Sequence, residues 1–564
     1  MERYEGTYLI NGPPGTGKTT FLQGQVRAIV DHNRVLRRNP SVVLCSLTKT
    51  AAKEIATPKP GTPELGLESW RIGTLHAHAY RSLERPTIAE TKLGEWNAER
   101  PDMALAEESS VDLDEPSSEW NPQKTAEKVF AQYTLLRSRL TPETLWPAPV
   151  MEFHRGWAAW KAKTGYLDFT DLIETCVRDI KRAPGEPNEL IVDEGQDLSA
   201  LEYKLIQKWG GNARSLMVAG DPYQALYEWR GAFPALFFDP SVPKDHVKVL
   251  SQSHRIPRRV HTVAMAWVRR ISDYREIEYR PRKGDDADGS VARSAATWRA
   301  AEELVPQIMK HFDAGRSVMV MGACSFMLDP LAACLRKRGI PFSNPWRAKR
   351  GDWNPLRMSN ANSTAHRVAT FLRTDAGHYA EAARLWTLRE FKAWSDLLAV
   401  NGFLERGSRE EIELEAEAAP NDMVSIHDLR RWCVDGMAER VMEMAKEALG
   451  GRGTREALNW FDEQLQAAMR KRASFPLLVA HTRGVRGLTE EPKIHLGTIH
   501  SFKGGEADVA FVFPDLSPSG SKEWLSGGAA RDSVIRMFYV ALTRPRQRLI
   551  VCAGASQSAV NLLA

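Results

Sequence analysis

The sequence predicts an α/β chain built on parallel sheets, and three stretches carry that expectation. A β-rich run, Thr7-Tyr8-Leu9-Ile10, breaks into a glycine-rich loop and then an apolar, helix-compatible stretch through Ile29. A second apolar run ends in two acids, a glutamine and a third acid: Leu190-Ile191-Val192-Asp193-Glu194-Gly195-Gln196-Asp197. A third strand, residues 215–219, ends in Gly220-Asp221-Pro222-Tyr223-Gln224. Parallel sheets bind ligands at the carboxyl ends of their strands, so these three endings are expected to share one edge.

At 564 residues the chain is too long for a single hydrophobic core, and about three or four domains are expected. Apolar residues make up 43% and charged residues 26%, the balance of a globular protein in water. No run of about 18 apolar residues offers a membrane span. Charged Met1-Glu2-Arg3 is followed by a strand from Thr7, which leaves no room for a signal peptide, so a cytoplasmic location is expected. Cys45, Cys176, Cys324, Cys334, Cys433 and Cys552 contain no C-x-x-C pair. A disulfide frame, a zinc site and an iron–sulfur site are therefore not expected. The net charge of +5 is compatible with nucleic acid without arguing for it.

In chain order, Gly12-Pro13-Pro14-Gly15-Thr16-Gly17-Lys18-Thr19-Thr20 is a Walker A loop in its required strand–loop–helix setting. Glycines let backbone N–H groups turn inward on a β-phosphate at a helix N-terminus. Lys18 reaches the β- and γ-oxygens, and the Thr19 hydroxyl is a Mg²⁺ ligand. A strand at 41–45 leads into Ser46-Leu47-Thr48-Lys49, a small-residue helix start, and Arg71 to His78 reads as a further strand end carrying Thr74 and His76. From 85 to 149 the composition shifts to that of a mostly helical insertion, with a mobile acidic loop at 107–122. Helical periodicity returns over 153–180. After the next strand, Asp193 is placed to hold Mg²⁺ and Glu194 to polarise the water that attacks the γ-phosphate. Gln224, at the end of its strand, can sense that phosphate, while Tyr227, Trp229 and Arg230 offer flat faces for base stacking. An aromatic cluster in the core is the competing reading of Trp229.

This order of segments, continued to the C-terminal part, resembles the UvrD/Rep branch of the superfamily 1 helicases. Motif I is the loop from Gly12, Ia begins at Ser46, Ib runs from Gly73 to His78, II is Asp193 to Asp197 and III is Gly220 to Ala232. Motif IV resembles Leu250-Ser251-Gln252-Ser253-His254-Arg255, V resembles Gly497 to Asp508, and VI resembles Phe538 to Arg546. Eight matches in the family's order make coincidence a negligible explanation.

The resemblance implies two RecA-like P-loop domains with parallel sheets, each carrying a largely helical insertion, closed around one ATP with Mg²⁺. The expected boundaries are 1–84 with 150–243 for the first domain, 85–149 for its insertion, 244–350 with 473–564 for the second domain, and 351–472 for the second insertion. Residue patterns at 317–321, 330–338, 475–480 and 548–552 are expected to supply the second sheet and its helices. By resemblance Arg255 and Arg544 reach the phosphates from the second domain, His254 takes the place of an adenine-stacking tyrosine, and Glu506 contacts the ribose. Leu47, Thr48, Thr74, His76, Tyr227, Trp229, Arg230, Thr498, His500 and Lys503 would lie along single-stranded DNA.

The implied activity is ATP-dependent 3′ to 5′ DNA unwinding in repair, replication or recombination. Single-stranded DNA and single-strand/duplex junctions are the expected partners, with a possible protein partner through 351–472 and no membrane. A strand translocase with weak unwinding, or an ATP-switched subunit of a repair or defence complex, is the alternative. Besides His254, the sequence departs from the family in four places. The upstream glutamine motif is absent, Thr20 stands where an arginine is frequent, Leu47 replaces a phenylalanine, and no extension is expected after motif VI.

Overall fold

The structure is a computed structural model that describes residues 5–35, 41–47, 52, 55–56, 64–106, 125–284, 286–358, 360–372, 386–449 and 454–563. Thr48, most of the expected helix start that contains it, and the acidic loop at 107–122 lie outside the described residues. The strands are β1 (Gly6–Asn11), β2 (Val42–Ser46), β3 (Ile72–Thr74), β4 (Glu189–Val192), β5 (Ser215–Gly220), β6 (Val247–Val249), β7 (Ser290–Arg293), β8 (Val318–Gly322), β9 (Ile494–Thr498), β10 (Ala507–Val512) and β11 (Pro545–Val551). They form two sheets, six strands in the order β3-β2-β4-β5-β1-β6 and five in the order β7-β11-β10-β8-β9. Every pairing between these strands is parallel. The expected α/β class with two parallel sheets is therefore what the chain adopts.

The strands are continuous apolar runs because both faces of each sheet are covered by helices. In the first sheet alternate residues feed opposite layers, as a two-residue period requires. Leu9, Val43, Cys45, Leu190, Val192, Leu216 and Val218 enter one core, and Ile10, Val42, Leu44, Ile191, Met217 and Ala219 enter the other. The order β4-β5-β1 sets the acid-bearing strand one strand away from the Walker strand. Gly12 N donates to Gly220 O at 2.8 Å, so the loop springs from the sheet beside the end of β5. Among the described residues no helix is long and apolar enough to cross a membrane.

Sheet and core membership refine the domain limits, and we propose boundaries that follow them. β6 pairs with β1, so the first sheet runs past 243 to Val249. The helix Ala148–Thr164 buries Phe153, Trp157 and Trp160 against Trp96 and Tyr133, in the core of the first insertion, which therefore extends to about residue 164. The second insertion has one core from Leu356 to Leu488. Residues 475–480 fall in the helix Ala467–Arg483, whose Leu477, Val479 and Ala480 join that core, while Phe475 also touches the second domain. Helical periodicity reports a helix but not the body it packs on, which is why these limits were not legible beforehand.

The first insertion is fastened to its domain by buried charge. Arg137 donates to Asp168 (2.8 Å), Asp171 (2.6 Å) and Glu174 (2.5 Å), and Lys161 pairs with Asp168 (2.5 Å). Asp168 also caps the helix Phe169–Asp179 in a capping box with Asp171. Glu90 lies behind this cluster; its Oε1 accepts from Phe169 N at 3.1 Å and its buried Oε2 has no partner. Burial, and then the charge of Asp168, push its pKa from 4.5 up to about 8. Because the folded value lies above the unfolded one, its contribution is full below pH 4.5 and is lost as the pH rises to about 8. Glu90→Gln, which cannot ionise, is expected to gain stability over the parent across that window, on the order of 1–3 kcal/mol, and then to run parallel to it. Thermal melts of both proteins from pH 5 to pH 9 check this; parallel curves throughout would mean that Glu90 is already ionised in the fold.

Candidate nucleotide and strand site

The Walker loop is shaped by two glycines at positive φ, Gly15 (73°) and Gly17 (80°), before the helix Lys18–Val35 begins. Lys18 Nζ donates to Gly12 O at 2.6 Å, and Thr16 Oγ1 to Pro13 O at 2.8 Å. The loop is braced by the segment after β6. His254 N donates to Gly15 O (2.8 Å), Ser253 Oγ to Pro14 O (3.1 Å) and Tyr279 OH to the same carbonyl (2.8 Å). A Cβ on Gly15 would lie 2.5 Å from Arg255 Cβ, so glycine is required there for approach as well as for φ. The Ser253 and Tyr279 braces were not among the sequence-predicted site residues; a serine and a distant tyrosine carry no spacing signal.

β4 delivers Asp193, 3% exposed, and Glu194, whose φ of 56° is left-handed. Asp193 Oδ1 accepts from Glu194 N at 2.9 Å. Gln196 Nε2 donates to Glu194 Oε2 at 2.5 Å while its Oε1 accepts from Asp221 N at 3.0 Å, which pins the carboxylate to the end of β5. Burial alone would raise the Glu194 pKa, but Lys503 and Lys18 outweigh it and hold the group down at about 2. Glu194 is thus an anion at neutral pH, held in a conformation that non-glycine residues rarely occupy.

The second domain closes over this edge. Arg544, 1% exposed, donates from Nη2 to Gln224 Oε1 (2.9 Å), from Nε to Val540 O (2.8 Å) and from Nη1 to Gly505 O (3.1 Å). Burial and the neighbouring Arg255 press its pKa below the usual guanidinium range, to about 9, and it stays charged at neutral pH. Gln224 Nε2 in turn donates to Asp221 Oδ2 at 2.8 Å. Arg255 Nε meets Glu506 Oε2 at 2.5 Å, and Arg546 holds the other oxygen of that carboxylate. Glu506, expected at the ribose, is therefore bridged between two arginines at the domain junction. Its pKa is lowered because these charges outweigh burial.

Lys503 is placed differently from the expectation. It pairs with Asp197 and lies 3.5 Å from Glu194, with its ammonium 5.3 Å from the Tyr227 ring centroid. Burial lowers its pKa to about 8 against the pull of Glu194. Its ammonium thus sits against two carboxylates that follow β4. Asp197 is the residue that sequence reasoning passed over here, because a carboxylate after a motif reads as solvated until a buried lysine is seen against it.

Other residues assigned to the strand are also buried. Tyr227 is 4% and Leu47 6% exposed, and both belong to the core where the two domains meet. Thr74 caps the helix Leu75–Ser82 by accepting from Ala77 N, and Thr498 is fully buried at the end of β9. His500 is partly buried, and its pKa is lowered to about 4 by burial and then Arg347. Leu47, Thr74, Tyr227 and Thr498 thus lie beneath the surface, and His500 reaches it only in part. Trp229 does form it, at 42% exposure. Beside it, Arg230, His76 and Glu202 line a cavity of 320 Å³ between the first domain and the helix Thr125–Ser138. His76 Nδ1 stands 3.6 Å from Glu202 Oε1. The competing core reading of Trp229 does not hold, because an indole with two fifths of its surface in solvent is not core.

Residues 1–241 match the family model for the UvrD/REP helicase N-terminal domain. That part of the chain is similar to this domain. The matched range contains the Walker loop, the acids after β4 and the loop with Gln224 and Trp229. The chain is 27% identical over 340 residues to an ATP-dependent DNA helicase PcrA of Staphylococcus epidermidis, covering 56% of this chain and 45% of that protein. It is 22% identical over 618 aligned positions to the PcrA of Staphylococcus aureus, covering 98% of this chain and 82% of that protein. A putative ATP-dependent DNA helicase YjcD of Bacillus subtilis is 21% identical over 254 residues. The chain thus spans about half the length of the first of these relatives.

Around the Walker loop, the Thr19 hydroxyl and the Asp193 carboxylate are hard oxygen donors of the kind that suit Mg²⁺. Among the described residues no group of three or more His, Cys, Asp or Glu could hold a metal ion alone. The donor set fits an ion that shares its coordination with phosphate oxygens and water.

Proposed function

We propose that the chain hydrolyses ATP to move along single-stranded DNA in the 3′ to 5′ direction and to open duplex at single-strand/duplex junctions. The observation that carries this reading is the contact between Arg544 of the second domain and Gln224 of the first, in the loop that also presents Trp229 to solvent. One loop thereby faces the phosphate edge at one end and a stacking surface at the other.

In this reading Gly15, Thr16, Gly17 and Lys18 cradle the β- and γ-phosphates, and Thr19 and Asp193 would hold Mg²⁺. Bound there, Mg²⁺ neutralises charge developing on the phosphate oxygens. Glu194, fixed by Gln196, orients the attacking water, while Arg544 and Arg255 complete the charge clamp only when the domains are closed. Lys503 belongs to the same clamp. Closure and reopening then alternate the grip on the strand. The base side is thin: exposed His254 and Thr20 are the side chains near Gly17, whose ideal Cβ lies 4.0 Å from His254 Cδ2 and Thr20 Cβ.

The test is ATPase activity with and without single-stranded DNA or RNA, together with unwinding of duplexes bearing 3′ or 5′ tails. Stimulation by DNA and opening of 3′-tailed duplexes are expected. Opening of 5′-tailed duplexes alone would overturn the direction. Trp229→Ala is expected to weaken single-strand binding by about 1–3 kcal/mol, the worth of one stacked base, with little change in melting temperature. Titration of a labelled oligonucleotide by anisotropy measures it; unchanged affinity would remove Trp229 from the strand path.

A further inference from the structure

The loop that carries Trp229 grips the second domain twice, and only the first grip is at the phosphate edge. Gln224 meets Arg544, and four residues later Glu228 Oε1 accepts from Arg536 Nη1 at 2.6 Å. Arg536 lies on the helix Gly528–Leu542, and its side chain is 9% exposed. Along that helix Arg536 and Val540 are one turn apart, and the Val540 carbonyl is the one that orients Arg544 Nε at 2.8 Å. The backbone of Glu228 is engaged as well: its carbonyl accepts from Arg139 Nη2 at 3.0 Å, at the end of the first insertion's helix. A Cβ on the following Gly231, at φ 102°, would lie 3.1 Å from Ser138 Cβ, so the turn is pressed against that insertion. Glu228 stands between Tyr227, buried in the domain junction, and Trp229, exposed on the surface.

We propose that the Glu228–Arg536 ion pair transmits strand engagement at Trp229 to Arg544, so that Glu228 is a positioning residue for DNA-stimulated hydrolysis. The inference rests on the single-strand reading given above. A base stacked on Trp229 displaces or stiffens the turn Glu228–Arg230. The carboxylate moves with that turn and carries Arg536, and the helix carries the Val540 carbonyl and with it the Arg544 guanidinium. A paired charge with 21% of the carboxylate side chain exposed is dry enough to act as a stiff link, whereas a solvated pair would yield. Glu228 itself touches neither phosphate nor base in this scheme.

The experiment compares the parent chain with Glu228→Gln, Arg536→Gln and the double exchange Glu228→Arg with Arg536→Glu. Oligo-dT is the probe, and unstimulated ATPase, maximal stimulated kcat, half-saturating oligo-dT and melting temperature are read for each. Each single variant is expected to keep unstimulated ATPase within about twofold and half-saturating oligo-dT within about threefold, while maximal stimulation falls at least tenfold. The exchange, which restores an ion pair in reverse, is expected to recover at least a third of the stimulation. Full stimulation in a folded Glu228→Gln protein overturns the proposal. So does a loss that appears only as weaker oligo-dT affinity, which would make Glu228 a strand contact. If the single variants fail to fold, recovery in the exchange supports the pair, and its absence counts against it. A parent chain that ignores oligo-dT overturns the single-strand reading itself, and this proposal with it.

Discussion

Glu194→Gln is expected to bind ATP as the parent chain does and to lose turnover by about 10²–10⁴-fold, the usual worth of a positioned proton acceptor. The substitution preserves shape and removes charge at an anion held down at about pKa 2 by Lys503 and Lys18. Ground-state affinity therefore stays or improves, since Lys503 is freed to face the phosphates. Single-turnover hydrolysis with saturating single-stranded DNA, alongside nucleotide binding by equilibrium dialysis, separates the two quantities. Hydrolysis at the parent rate would remove Glu194 from the water-positioning role. Lys18→Ala should give the opposite pattern, with binding lost first.

Arg544→Lys is expected to lower stimulated kcat by about 10³-fold or more, as removal of an arginine that clamps a transferring phosphoryl group does. Lysine keeps the charge but cannot reproduce a fork that meets Gln224 Oε1, Val540 O and Gly505 O together. The buried carbonyls lose donors, so a lower melting temperature is also expected, and the kinetic loss must be read on protein shown to be folded. A kcat within tenfold of the parent would mean that Arg544 is a structural tie between the domains and that Arg255 alone serves the phosphate. Because the charge of Arg255 acts directly on Arg544, replacing both arginines is expected to cost less than the product of the two single losses.

Much of the fold was legible in the sequence because its signals are local. The strand–loop–helix around Lys18 and the apolar runs that end in Asp193 and Gly220 each depend on a few consecutive residues, and β1, β4 and β5 lie where those runs predicted them. The first insertion was visible as a change in composition. Its far limit was not, since nothing in residues 148–164 distinguishes a helix that packs on Trp96 from one that packs on the sheet.

The sequence by itself determined the parallel α/β architecture, the phosphate loop and the acids that face it, because backbone geometry at a glycine-rich turn and at a strand end follows from neighbouring residues. Only the tertiary structure decided which side chains reach solvent and which charges meet. Tyr227 and Trp229, two residues apart in one motif, separate into a buried and an exposed ring because the second domain packs over the first of them alone. Lys503, by motif a strand contact, turns inward because Asp197 and Glu194, some three hundred positions earlier, leave negative charge uncompensated at the same edge. Glu228, with no motif role, finds Arg536 across the domain junction. Burial and ion pairing are sums over residues distant in the chain, and no local pattern encodes them.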